Sequence, residues 1–130
     1  MTKPGGPQIT GVRTVGVPVT DQEQALNFYV GTLGLDKRID VPLGGGGRWI
    51  EVAPGGAATT LALVVAHEGV PAGVETGVRL TAGSAEALHA DLRGQGVDVG
   101  EILRWPGVPP MFAFRDQDGN GLEIVEHAGP

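Results

Sequence analysis

The sequence predicts an α+β fold made of two βαβββ modules, each sheet covered on one face by a single helix. Three observations carry that reading. Apolar residues alternate at period two in several short stretches, and two other stretches switch to helical spacing. The helical stretches also match each other, Ala25-Leu26 to Gly34-Leu35 having the same spacing as Ala87-Leu88 to Gly96-Val97, as expected of a duplicated module.

The first strand is expected at about 12–19, where Val15, Val17 and Val19 alternate with Thr14, Gly16 and Pro18. Thr20 or Asp21 then caps a helix, with Glu23 or Gln24 three residues on completing a capping box. Leu26, Tyr29, Val30 and Leu33 lie on one helical face, and Gly34 stands where a left-handed C-terminal cap is wanted. Strands are expected at 35–43, 49–53 and 59–66, separated by the glycines at 44–47 and by Pro54-Gly55-Gly56. The second half repeats the order. A strand at 77–82 leads to a helix from Ser84, whose Ala85, Leu88, His89 and Leu92 share a face and which ends near 94–96. Strands at 97–104, 111–115 and 122–127 follow. Residues 1–10 are expected to be a flexible tail, 11–66 the first module, 67–73 a linker and 74–130 the second module, together one domain.

Composition narrows the function. The 23 glycines and 10 prolines make about a quarter of the chain, but with 41% hydrophobic residues in periodic blocks they read as punctuation between short elements. Nine Lys and Arg against 15 Asp and Glu give a net charge of −6, and apart from the adjacent Lys37 and Arg38 the cations are scattered along the chain, so neither nucleic acid nor an anionic membrane is an expected partner. Absence of cysteine excludes disulfides, thiolate zinc sites and thiol catalysis. The longest apolar run, 61–66, is far short of the roughly 20 residues of a membrane helix, and residues 1–7 do not read as a signal peptide. A cytoplasmic protein is expected.

The run VGVPVTDQEQALNFYVGTLGL at 15–35, RWIEVAP at 48–54 and FAFRDQDGNGLEIVEH at 112–127 together resemble the vicinal oxygen chelate superfamily, the glyoxalase, bleomycin-resistance and extradiol-dioxygenase group. The resemblance implies paired βαβββ modules curled into an incomplete mixed-sheet barrel, a homodimer, and a divalent metal in the enzymatic members. It further implies a ligand histidine near the start of each module's first strand and a glutamate in its last. The matching positions here hold Thr14 and Gly77, and the first module's last strand offers only threonine and apolar residues around Leu61. Glu123 alone remains, and one carboxylate does not hold a catalytic ion. No metal or other cofactor is therefore expected. Nor do the histidines replace the missing ligands. Glu123 and His127 are about 13 Å apart along one strand at roughly 3.3 Å per residue, His67 falls in the linker, and His89 borders a buried helical stripe.

If the valines of the first strand pack on the helix, Thr14, Gly16 and Pro18 face the cleft between modules, as do Gly77, Arg79 and Thr81 in the second. An inward Arg79 needs a carboxylate, Glu123 or Glu51, or an anionic ligand, and a buried Arg–Glu pair is the simplest arrangement. Trp49 and Glu51 turn to the cleft because Ile50 and Val52 suit the helix side, and Trp105 is placed at the rim. Two such tryptophans can sandwich a planar ligand. The glycines at 44–47 read as a mobile hairpin connection, and 116–120 as a tight turn with Gly119 at positive φ.

The expected function is metal-independent binding of an aromatic or cationic small molecule, in the manner of bleomycin-resistance-type sequestration proteins, with Thr14, Trp49, Glu51, Arg79, Trp105 and Glu123 as ligand-binding residues. The alternative is a glyoxalase-type lyase or isomerase, or a dioxygenase, with atypical metal ligands including Glu123. A metal-free enzyme with Glu123 or Glu51 as general base is its variant.

Overall fold

The computed structural model describes residues 5–127, so the first four positions of the expected tail and the last three of the chain lie outside the described part. Among the described residues the order is β1 (Thr14–Val19), α1 (Gln22–Leu26, continuing as a π-helical turn, Asn27–Thr32), β2 (Asp36–Pro42), β3 (Arg48–Ala53), β4 (Thr60–Val65), β5 (Glu75–Ala82), α2 (Ala85–Gly94), β6 (Met111–Arg115) and β7 (Gly121–Glu126). These seven strands form two mixed sheets, ordered β1-β4-β3-β2 and β5-β7-β6, neither closed into a barrel. In each sheet the strand before the helix pairs in parallel with the module's last strand, β1 with β4 and β5 with β7.

Period-two alternation sets the sheet faces. Val17, Val19, Ile50, Val52, Leu61 and Leu63 are buried in the core, as are Phe112, Phe114, Leu122 and Ile124 of the second sheet. Thr20 and Asp21 divide the work at the helix start. Asp21 Oδ1 accepts the amides of Glu23 and Gln24 at 2.9 and 3.0 Å, while the Thr20 hydroxyl donates to Asp118 Oδ1 across the modules at 2.6 Å. The expected helical stripe is found, with Leu26 and Tyr29 buried and Val30 and Leu33 packed against the core. Its last turn widens, Leu33 N–H bonding back to Phe28 C=O at 2.9 Å, before Gly34 ends the helix at φ +80°. The second helix is capped by Ser84, whose hydroxyl accepts Ala87 N–H at 3.1 Å, and is followed by Gly96 at φ +86°, the counterpart of Gly34.

The expected strand at 97–104 is not a regular strand. Only isolated bridges, Val99 to Phe114 and Leu103 to Met111, tie it to β6. Four residues on one side then span three on the other, so an extra residue bulges out of the ladder. Its apolar spacing slips to match, Val97, Val99 and Ile102 all packing on the core. The second sheet is therefore three-stranded.

Candidate functional site

The candidate site residues fall into three places. The first is the face of the first sheet opposite the core. Thr14 pairs with Thr60, and Glu51 with Ala62 and with Ile39, while Trp49 lies opposite Val41, so Thr14, Thr60, Glu51, Trp49, Ile39 and Val41 share that face. Glu51 is only 2% exposed. Its Oε2 accepts the Trp49 indole N–H at 2.8 Å, and its Oε1 accepts the Thr60 hydroxyl, also at 2.8 Å. Thr14 Oγ1 lies 2.8 Å from Thr60 Oγ1, and the mostly exposed Arg13 guanidinium reaches Glu51 Oε2 at 3.4 Å. The indole hydrogen bond, then the Thr60 hydroxyl and Arg13, hold the Glu51 carboxyl below its usual range although burial opposes this. Both carboxylate oxygens are thus occupied and anionic.

The second place is the open face of the second sheet. Arg79 and Glu123 are register partners, and Arg79 Nε donates to Glu123 Oε1 at 2.9 Å. The expected Arg–Glu pairing is present but is not buried, the side chains being 65% and 35% exposed. A three-stranded sheet with small residues at Gly77, Thr81 and Ala113 does not cover them. Beside this pair runs a groove of about 380 Å³ between the modules, lined by Val15, Thr60, Leu61, Val78, Arg79 and Leu80 among others. A two-residue slip in the β5–β7 register places Gly77, at φ +75°, on its wall.

The third place is the loop before β6. Trp105 is 58% exposed, and among the described residues neither tryptophan has an aromatic ring neighbour. The histidines lie elsewhere. His89 packs edge-on against Phe112 with ring centroids 5.0 Å apart and bonds Gly100 C=O at 2.8 Å, whereas His67 sits exposed in a turn with Val70.

Sequence reasoning missed Thr60 and Arg13. Thr60 was legible only as a strand start, since nothing in a linear reading brings it across the hairpin to Glu51. A metal fits these residues poorly. Of the positions where family enzymes carry ligands, Thr14 is engaged with Thr60, Gly77 has no side chain, Leu61 is a buried hydrocarbon, and Glu123 is held by Arg79. Among the described residues no three His, Asp or Glu side chains gather to hold an ion. The 116–120 turn is no exception, since Asp116 spends both oxygens on the Tyr29 hydroxyl, the Asn120 side chain and two backbone amides.

Comparison with known proteins agrees with this architecture. Residues 11–124 match the model of the glyoxalase/bleomycin resistance protein/dioxygenase superfamily. The chain is 32% identical over 126 residues to YetH, an uncharacterized protein of Bacillus subtilis (strain 168), covering 91% of this chain and 99% of that one. Among solved structures it is similar to TnmS3, an antibiotic binding protein from Streptomyces sp. CB03234, at 38% identity and a TM-score of 0.82 over 91% of this chain and 96% of that chain. A superfamily member from Sphaerobacter thermophilus DSM 20745 is 34% identical, with a TM-score of 0.84 over 92% and 98% of the respective chains. The chain belongs to the glyoxalase/bleomycin resistance protein/dioxygenase superfamily.

Proposed function

We propose that this protein is a metal-independent binding protein that sequesters an aromatic or cationic small molecule without altering it. The observation that carries the reading is the fate of the family's ligand positions: one carboxylate remains, and it is neutralised by Arg79. The groove between the modules is of a size that takes a small organic ligand, and the net charge of −6 favours a cation. The similarity to TnmS3, whose own ligand is an antibiotic, supports the same class of ligand here. The protein is expected to act in the cytoplasm as a homodimer, and light scattering on the purified chain tests the dimer.

Elemental mass spectrometry on protein purified without chelator or metal-affinity tag, followed by calorimetric titration with aromatic natural products, tests the function. Expected are less than about a tenth of an equivalent of metal, saturable binding with a rise in melting temperature, and ligand recovered unchanged. Near-stoichiometric metal or a transformed ligand overturns the reading in favour of a glyoxalase-type or dioxygenase enzyme that uses Glu123.

A further inference from the structure

We infer that Glu51 is a positioning residue that holds the Trp49 indole as a fixed platform on the face of the first sheet opposite the core and makes that platform select planar cations. The inference rests on the ligand-binding reading above: Trp49 and Glu51 do not line the groove, but Thr60 does and bonds Glu51, so the platform adjoins the groove and adds the charge and shape of the ligand and the residue that chooses them.

The argument starts from the register. Trp49 and Glu51 are two residues apart in β3 and so point to the same face, away from the helix, with Val41 and Ile39 beside them on β2. Val41 is 48% exposed, so an apolar surface flanks the indole. Ordinarily a partly exposed tryptophan samples several rotamers, and ordering it on binding costs affinity. Here the indole N–H is tied at 2.8 Å to a carboxylate whose other oxygen is held by Thr60, and Thr60 is bracketed in turn by Thr14. The ring is therefore oriented before any ligand arrives.

Charge follows from the same bond. An indole face is electron-rich and is the best of the aromatic platforms for a cation. A buried anion accepting from the indole N–H raises the electron density of the ring, and its own negative potential adds to that of the face. Arg13 offsets this only in part, lying 3.4 Å away with a side chain that is 71% exposed to solvent. A neutral aromatic gains the stacking term alone. A planar cation gains both.

The test uses the otherwise unaltered protein and two probes of nearly the same shape: N-methylacridinium, permanently cationic, and acridine at mildly alkaline pH, where it is uncharged. Calorimetric titrations are expected to show N-methylacridinium binding about tenfold more tightly, the equivalent of about 1.4 kcal/mol. Glu51→Gln keeps an acceptor for the indole but removes the charge, so the preference is expected to fall to within about twofold while acridine affinity holds. Trp49→Phe should lose both. The Trp49 indole proton resonance of the free protein should move upfield in Glu51→Gln, a change that a purely structural glutamate shows without any change in probe preference. If Glu51→Gln does not fold, Arg13→Ala, on an exposed side chain, should instead sharpen the preference for the cation about twofold. Equal affinity for the two probes, or a preference that survives Glu51→Gln or is unmoved by Arg13→Ala, overturns the inference. Failure of both acridines while natural products bind overturns it too, whereas failure of every ligand overturns the binding function itself.

Discussion

The hydroxyl of Tyr29, in the helix of the first module, donates a 2.7 Å hydrogen bond to Asp116 Oδ2 in the β6–β7 turn of the second. Both residues are buried, so the bond joins the modules in a region that water does not reach. Burial first, and then the neighbouring Asp116 carboxylate, push the Tyr29 phenol far above its ordinary value of 10.0. A raised acid contributes stability that is fully present below the unfolded value and is lost as pH rises beyond it, because only the unfolded chain then ionises. Stability is therefore expected to fall from about pH 10 upward. As Tyr29 is the sole tyrosine, phenolate absorbance should appear only together with unfolding. Tyr29→Phe removes that link and should cost about 1–2 kcal/mol at neutral pH, since Asp116 Oδ2 keeps Asn120 as a partner. Phenolate appearing in the folded protein near pH 10 refutes the account.

Asn120 is the more heavily used of the inter-module groups. Its Oδ1 accepts Gly73 and Val74 N–H at 2.8 and 3.0 Å, and its Nδ2 donates to Pro18 C=O at 2.8 Å as well as to Asp116. One side chain thereby fixes the linker, β1 and the turn. Asn120→Ala orphans two part-buried donors and a buried acceptor, at about 1–3 kcal/mol for each group that water does not rescue. The expected loss exceeds that of Tyr29→Phe, and urea unfolding of the two variants side by side measures it. Asn120→Asp should fare no better, because it sets a second carboxylate against Asp116.

Much of this framework was legible in the sequence because it is local. Alternating valines, the Asp21 and Ser84 caps and the glycines after each helix are short-range signals, and each appears where the spacing places it. What failed depends on contacts distant in sequence. The bulge that dissolves the strand expected at 97–104 is set by β6, and the buried Gln22, bonding Leu63 C=O at 2.8 Å and Arg48 C=O at 2.7 Å, reads in one dimension as a solvated helix position. At the candidate site the facing of Trp49 and Glu51 followed from period-two alternation. The Thr60 hydroxyl beneath them did not, because a hairpin's register across a glycine-rich turn is invisible to local pattern.

Acid should loosen the first sheet. Glu51 is held below its ordinary 4.5 by the Trp49 indole above all, with Thr60 and Arg13 adding and burial opposing. A depressed carboxylate contributes stability above its unfolded value that is lost as pH falls through the folded one. Stability should therefore be flat down to about pH 4.5 and decline below it, and Glu51→Gln should flatten that decline. Asp40, lowered to about 2 by hydrogen bonds from Arg48 and then Lys37, leaves a residual slope in the variant at still lower pH. Urea midpoints taken from neutrality to about pH 3 separate the two, and a Glu51→Gln curve parallel to wild type sinks the assignment.

The Arg79–Glu123 pair is expected to matter for ligand choice and hardly at all for stability. Both side chains keep much of their solvent, and exposed pairs contribute about 0–1 kcal/mol, so Arg79→Ala and Glu123→Gln should unfold within about 1 kcal/mol of wild type. Their effects on binding should be opposite. Arg79 lines the groove and Glu123 neutralises it, so Glu123→Gln leaves a free guanidinium that attracts anions, while Arg79→Ala leaves a free carboxylate that attracts cations. Competition between N-methylacridinium and an anionic aromatic sulfonate reads the shift, expected at about threefold to tenfold in each direction. The same Glu123→Gln protein also separates binding from catalysis. Sequestration predicts that total ligand binding stays within about tenfold of wild type, whereas an enzyme that takes Glu123 as base or ligand predicts activity falling by orders of magnitude.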